Sequence, residues 1–261
     1  MRFTSAGLTD VGLQRPHNED AFLVLDEERL TCVADGMGGH ASGEVASRIA
    51  VEELAEFFRL TGRDEEATWP FREEPSLAPE ENRVLCAVRL ANQRIVERAA
   101  SDERLAGMGT TLVAAHLLPA RDEVIVAHVG DSRAYLWRRG ALRQLTEDHS
   151  LLNDLLRTRP LTPEEIAAFP HKNVIVRALG MKDRVEVDLR RERLEPGDVL
   201  LLCCDGLTGM VTDAEIGELI RRHRADPRLA ARALVDAANA AGGADNVTCV
   251  LTAVQGGAGE G

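Results

Sequence analysis

The sequence predicts an α+β domain in which mixed or antiparallel sheets carry helices on their outer faces. Two observations lead there. Apolar strand-like runs and amphipathic helix-like runs arrive in groups, without the regular alternation of a parallel βαβ fold. Of the 261 residues, 44% are apolar and only 3% aromatic, so one large domain can bury a substantial core, made mostly of Ala, Val and Leu.

A short segment, Phe3–Thr9, leads into a polar stretch with Asp10, Gln14, Arg15, His17, Asn18, Glu19 and Asp20. Ala21–Leu25 and Leu30–Ala34 read as strands joined by the acidic turn Asp26–Arg29. Gly36, Gly38, Gly39 and Gly43 then break any regular pattern. From Glu44, apolar Val45, Ile49, Leu54 and Phe57–Phe58 mark an amphipathic helix. Thr61–Pro79, rich in Glu, Pro and Arg, reads as a solvent-facing excursion. Leu85, Val88, Ile95 and Ala99 predict a second helix, with Asn92 as a polar exception on its apolar face.

Thr110–Leu118, Glu123–Val129 and Arg133–Trp137 are strand candidates, with turns at Pro119–Asp122 and Gly130–Ser132. Helical character returns at Glu147–Leu156. Thr162-Pro163-Glu164-Glu165 combines a cap, an N1 proline and early acids, a helix start. Val174–Val176, Val185–Leu189 and Val199–Cys204 supply later strands. Helices at about Asp213–His223 and Pro227–Ala238 precede a closing strand, Val247–Val254. We expect one domain over residues 1–254 and a disordered Gly-rich tail over 255–261.

The formal net charge of -12 argues against general affinity for nucleic acid or an anionic membrane and favours cations and basic partners. Cys32, Cys86, Cys203, Cys204 and Cys249 match no zinc spacing and are odd in number, as expected of buried thiols in a reducing cytosol. The start MRFTSAG has neither the basic region nor the apolar stretch of a signal peptide. No run approaches the roughly 20 apolar residues that span a membrane.

The chemistry lies in the acids. Glu19-Asp20 precede one strand and Asp35-Gly36 follow another. Asp205 ends the run Val199–Cys204, and Asp245 precedes Val247–Val254. Hard divalent cations take several carboxylate oxygens plus water, so a fold that gathers these acids builds a Mg²⁺ or Mn²⁺ site. Gly36 lets a backbone carbonyl approach such an ion. Read alone, Glu19-Asp20 also fits an acidic pair facing water, and Asp35, Asp205 and Asp245 each fit an ordinary strand-terminating turn. Asp131, in Gly130-Asp131-Ser132, has the same two readings. Arg15, just before the Glu19-Asp20 pair, offers a planar guanidinium for phosphate beside the metals. His40 fits a turn or a proton transfer. The glycine-rich segment is not a nucleotide loop, since neither GxxxxGK[ST] nor GxGxxG occurs. HExxH and GxSxG are also missing.

As a set, these pieces resemble the metal-dependent serine/threonine protein phosphatases, the PPM family, and especially its compact bacterial members. The matching segments are Arg15-Pro16-His17-Asn18-Glu19-Asp20, Val33-Ala34-Asp35-Gly36-Met37-Gly38-Gly39-His40, Gly107-Met108-Gly109-Thr110-Thr111, Gly130-Asp131-Ser132-Arg133, Cys204-Asp205-Gly206-Leu207 and Gly242-Gly243-Ala244-Asp245-Asn246-Val247-Thr248. They follow the family order and span the chain from about Thr4 to Leu251.

The resemblance implies a four-layer αββα sandwich of two mostly antiparallel β-sheets flanked by helices, with a binuclear site at one end. Asp35 would bridge two Mn²⁺ or Mg²⁺ ions, Asp205 and Asp245 would serve one of them, and the Gly36 carbonyl the other. Glu19 and Asp20 would add direct or water-mediated contacts. Asp131, with Asp205, would hold a third, weaker ion, and Arg15 would bind the phosphate. Residues His149 to about Lys172 fall at the family's variable flap. Eukaryotic members carry a histidine directly after Asp-Gly, where this chain has Met37, whose thioether cannot donate a proton.

The expected reaction is hydrolysis of phosphoserine and phosphothreonine in proteins by a water held between two metal ions, attacking phosphorus in line. Metal-associated water or His40 would protonate the leaving oxygen. The expected setting is a cytoplasmic monomer acting on phosphoproteins, opposing a serine/threonine kinase, with no nucleic acid or membrane partner. The alternatives are a hydrolase of small phosphoesters and a weakly catalytic phosphoprotein-binding module. The presence of Asp20, Asp35, Asp205 and Asp245 together argues against the module.

Overall fold

The protein is described here by a computed structural model, which covers residues 1–38, 42–63, 69–171 and 174–256. In chain order it begins with β1 (Arg2–Asp10), β2 (Asp20–Leu25), β3 (Leu30–Met37), α1 (Ser42–Arg63) and α2 (Pro79–Ser101). Then come β4 (Gly109–Thr110), β5 (Leu112–Leu118), β6 (Glu123–Val129), β7 (Arg133–Arg138) and β8 (Ala141–Gln144). The chain continues through α3 (Leu151–Thr158), α4 (Pro163–Ala168), β9 (Asp188–Arg193), β10 (Val199–Cys203) and α5 (Asp205–Thr208). It closes with α6 (Asp213–His223), α7 (Pro227–Ala240) and β11 (Val247–Gln255).

The strands form two sheets. One has the order β1-β11-β10-β7-β8, the other β2-β3-β5-β6-β9 with β4 paired to β3. Every pairing is antiparallel. Side-chain alternation along each strand then separates the layers. On β10 and just after it, Leu200, Leu202 and Cys204 point between the sheets, against Val33, Val113, Val126 and Val250. Val199, Leu201 and Cys203 point the other way, onto Ile216, Ile220, Leu234 and Val235 of α6 and α7. On β3, Leu30, Cys32 and Ala34 meet Leu54 and Phe58 of α1 and Ile95 of α2. The result is the expected αββα sandwich. Central strands are covered on both faces, which is why Val199–Cys203 reads as an unbroken apolar run.

Local chemistry fixes the helix starts. Thr212 and Glu215 form a reciprocal capping box at α6, and Thr162 and Glu165 do the same at α4. Asp226 accepts the Arg228 and Leu229 amides ahead of α7. Asn92, the polar exception on α2, is fully used: its amide donates to Lys182 and Asp183 carbonyls and its oxygen accepts from Gly180 N–H. The five cysteines are free and buried. No helix among the described residues is long and apolar enough to cross a membrane.

The structure departs from the sequence expectations in several places. Phe3–Thr9, read only as a lead-in, lies within the nine-residue β1, paired along its whole length with β11. Val174–Val176 is not a strand; Ile175 makes a single bridge to Ser150. The strand expected at Val185–Leu189 lies instead at Asp188–Arg193, a charged edge strand beside β6. Charge on an edge discourages further pairing and hides the apolar alternation by which strands are read. The short polar β8 escaped the same reading.

The helix expected from Glu147 starts at Leu151, because Asp148 and His149 are engaged in tertiary bonds and Ser150 caps. The supposed excursion after Thr61 is partly helical, as α1 runs to Arg63, and Trp69 packs its ring 5.8 Å from Phe57. Residues 257–261 of the expected tail, and His40, lie outside the described residues.

Leu200 is buried between the sheets, so Leu200→Ala removes contacts on both sides. We expect it to cost about 2–5 kcal/mol in urea unfolding with an unchanged m-value, the range for buried leucine truncations.

Candidate active site

Antiparallel register brings the acids together. Asp20, first residue of β2, pairs directly with Asp35 near the end of β3. In the other sheet, the end of β10 lies against the start of β11, with Cys203 opposite Cys249. Asp205, opening α5, and Asp245, just ahead of β11, therefore emerge at the same end. A hydrogen bond joins the two sheets there: Thr248 Oγ1 donates to Asp20 Oδ2 at 2.6 Å. Asp20, Asp35 and Cys204 each place one candidate ligand atom within 4.8 Å of the others.

The surrounding backbone is tightly built. Asp35 O accepts from Thr111 N–H and Thr110 Oγ1, and Thr111 Oγ1 accepts from Asp35 N–H. A Cβ on Gly36 would run into the Gly43 and Glu19 carbonyls, so only glycine lets the start of α1 close against β3. Asn246 stitches the polar stretch to β11. Its oxygen accepts from Glu19 N–H, its amide donates to the Val11 and His17 carbonyls, and its own N–H donates to Asp245 Oδ1. Gly12, at φ 78, passes so close to the Asp245 carbonyl that a side chain is excluded.

Burial dominates the electrostatics. It pushes the Asp20 carboxyl up to about 6, aided by the charges of Asp205 and Asp245 and opposed by the Thr248 hydroxyl. Asp35 is raised well above the ordinary carboxylate range by burial and then by Asp20, Asp205 and Asp131. Asp205 is raised by burial and Asp245, with a hydrogen bond from Asp35 pulling the other way. Glu19 is raised by burial and held back by the Gly43 amide at the start of α1. Burial raises the Cys204 thiol strongly, reinforced by Asp20, Asp35 and Asp205, so it stays protonated beside them.

Asp131 lies in the β6–β7 turn, only 8% exposed, with its carboxyl pushed to about 7 by burial and by Asp205 and Asp148. It lines a cavity of about 350 Å³ together with Asp205, Arg133, Asp148 and Asn153.

The donor set suits a hard cation. Buried carboxylates are costly unless paired or bound to metal, and among the described residues no ion pair reaches Asp20, Asp35, Asp205 or Asp131. Arg133 grips Asp148 with both oxygens engaged, and Arg15 bonds Asp245 at 2.7 Å. Asp20 Oδ1 and Asp131 Oδ1 are buried with no hydrogen-bond partner. Oxygen atoms left in this condition fit Mg²⁺ or Mn²⁺.

The structure thus brings Asp20, Asp35 and Asp205 together, with Asp245 and Asp131 flanking them. Glu19 turns toward α1, and half-exposed Arg15 sits at the rim on Asp245. Sequence reasoning missed the parts played by Cys204, Thr248 and Asn246. The last two stand in the segment after Asp245, where uncharged side chains signal no chemistry by themselves.

An αββα sandwich with a carboxylate cluster at one end is the architecture of a metal-dependent phosphatase. Residues 14–247 match the family described as Protein phosphatase 2C, and the chain belongs to that family, the PPM phosphatases. It is similar to the serine/threonine phosphatase stp of Listeria welshimeri, 41% identical over 250 residues covering 93% of this chain and 92% of that protein. Among solved structures it is similar to the Mycobacterium tuberculosis serine/threonine phosphatase PstP/Ppp, with TM-score 0.82 and 34% identity over 97% of this chain and 99% of that one. It is also similar to the catalytic domain of serine threonine protein phosphatase PstP in complex with two manganese ions, at TM-score 0.80 and 34% identity over 97% and 99% of the chains.

In metal-free protein a raised carboxyl stabilises the fold only while protonated. For Asp131 that contribution is whole below the ordinary value of 3.8 and is lost as pH rises through about 7. Asp131→Asn removes the penalty. Its gain in melting temperature over the parent, in chelator, should be larger at pH 8 than at pH 5 and correspond to at most about 4 kcal/mol. An equal shift at both pH values would contradict the assignment.

Proposed function

We propose that this chain hydrolyses phosphoserine and phosphothreonine in proteins with the help of divalent cations. The observation that carries the reading is the gathering of Asp20, Asp35 and Asp205 at one end of the sandwich, in a chain that matches Protein phosphatase 2C over residues 14–247. The relatives named as serine/threonine phosphatases, one of them holding two manganese ions, support the substrate and cofactor class.

In this reading Asp35, Asp20, Asp205 and Asp245 hold two Mn²⁺ or Mg²⁺ ions, with the Gly36 carbonyl and Glu19 as further oxygen donors. Asp131 and Asp205 hold a third, weaker one. Such ions, when bound, supply an acidified water nucleophile at neutral pH and offset charge on the phosphoryl oxygens. The protein does the rest. Thr248 orients the Asp20 carboxylate, and Thr110 and Thr111 fix the backbone of Asp35.

Arg15 uses Nη2 on Asp245 and keeps the rest of its guanidinium, on a side chain 51% exposed, for a phosphate oxygen. The leaving serine or threonine oxygen needs a proton; Met37 has none to give, and metal-associated water or His40 would supply it. Ser150, Leu152 and Asn153, at the base of the flap, line the cavity beside Asp131 and bias the choice of phosphoprotein. Phosphoproteins made by a serine/threonine kinase in the cytoplasm are the substrates this reading calls for.

Phosphate release from phosphothreonine peptides by metal-stripped protein should return on adding Mn²⁺ or Mg²⁺ and exceed that from phosphotyrosine peptides and small phosphoesters. A preference for small esters over every peptide would overturn the protein-phosphatase reading. Asp35→Asn and Asp205→Asn should each lower kcat by at least ~100-fold at saturating metal, the scale of a lost electrostatic element in the transition state. Arg15→Lys keeps the charge but loses the planar fork. It should raise KM for several phosphopeptides about tenfold while metal content by atomic absorption stays unchanged, at the ~1.4 kcal/mol that such a ratio represents.

A further inference from the structure

Two consecutive residues at the base of the flap, Asp148 and His149, grip the turn that carries Asp131. Asp148 takes the Arg133 guanidinium through both carboxylate oxygens, and Ser150 caps α3. His149, buried between them, bonds Gly130 twice. Its backbone N–H donates to the Gly130 carbonyl at 2.9 Å, and Gly130 N–H donates to its ring Nδ1 at 3.0 Å. The second bond fixes Nδ1 as an acceptor without a proton and leaves Nε2 to the groups beyond it.

That Nε2 faces Asp188 Oδ2 at 3.5 Å, and Arg177, 3.1 Å from the same nitrogen, anchors on Asp188 Oδ1 at 2.7 Å. The ring stacks on His128 with centroids 4.6 Å apart, and His128 Nε2 is itself bonded to the Glu147 carbonyl. Burial and the neighbouring His128 hold His149 down to about 4, which keeps it neutral. On the far side of the turn, Ser132 bonds Thr111, and Gly130, at φ 106, passes too close to Thr111 for a side chain. His128, His149 and Asp188 also lie near enough together to suggest a second metal site. A cation there would have to displace Arg177 from Asp188 and take nitrogens already engaged, so the cluster reads as a scaffold.

We propose that His149 is a positioning residue for Asp131: its ring Nδ1 accepts the Gly130 amide and so sets the turn that presents Asp131 to the cavity shared with Asp205. The inference rests on the reading of Asp131 as a cation-holding acid. Asp131 has no side-chain partner on its buried Oδ1 to orient it, so its direction is inherited from the backbone of the turn. The Gly130 amide is the part of that turn which His149 holds.

The test compares His149→Asn with His149→Gln. Asparagine places an acceptor oxygen close to where Nδ1 lies, whereas glutamine places its oxygen nearer to Nε2 and leaves the Gly130 amide unpaired. Free Mn²⁺ is followed by electron paramagnetic resonance during titration, with peptide turnover measured alongside and folding checked by circular dichroism. We expect His149→Asn to stay within about threefold of the parent in its weaker Mn²⁺ affinity, and His149→Gln to lose about tenfold, the scale of one lost buried hydrogen bond. The two tighter ions should be retained in both. Equal behaviour of the two variants, whether both intact or both impaired, would overturn the proposal, since a purely structural role does not distinguish them by acceptor position. Asp131→Ala, run in parallel, separates the two readings. If it leaves the weaker Mn²⁺ binding unchanged, the role of Asp131 falls and this inference with it. If it removes that binding while His149→Gln does not weaken it, only the role of His149 falls.

Discussion

Asp20 and Asp35 face each other across two paired strands, and a part-buried pair of like charges is the constraint to which the rest of this structure answers. Among the described residues neither has an arginine or lysine in an ion pair to offset it, and Asp205 adds to both. Without a cation, the fold meets this cost by keeping carboxyls protonated. With one, the same geometry becomes a site in which negative oxygens are already placed and need no rearrangement. Two sheets, packed through Leu200, Leu202, Val33 and Val113, supply the stability that holds such a cluster together.

The acids are held through the backbone as much as through side chains. Asn246 ties the segment carrying Glu19 to the start of β11, and the Thr110-Thr111 pair fixes the end of β3. His149 does the same for the turn before β7. These residues carry no charge at neutral pH and make no obvious motif, yet each removes a degree of freedom from an acid. A metal site built in this way gains its precision from neighbours whose own hydrogen bonds are satisfied.

Much of this could be read from the sequence, for identifiable reasons. Asp35 and Asp205 end apolar runs and Asp245 precedes one, so strand-end acids stand out where burial begins. Alternation along β3, β10 and β11 was hidden, because both faces of those strands are covered, but their apolar length was enough to find them. What pattern could not supply was register. The bond from Thr248 to Asp20 spans 228 positions, and nothing local to either residue announces it. β9 was misplaced because an edge strand can be Asp-Leu-Arg-Arg-Glu-Arg and remain stable on one partner. The helix expected at Glu147 failed because Asp148 and His149 are spent on tertiary contacts that outweigh helix propensity.

The central claim is that carboxyls at the sandwich end are protonated by burial and give up their protons to divalent cations. Calorimetric titration of Mn²⁺ into metal-free protein, repeated at one pH in buffers of different ionisation enthalpy, counts those protons directly. With Asp20 raised to about 6, Asp131 to about 7 and Asp35 well above the ordinary carboxylate range, binding at pH 6 should release protons, on the order of one or more per chain, and fewer as pH rises. Full Mn²⁺ binding at pH 6 with no proton release would contradict the account.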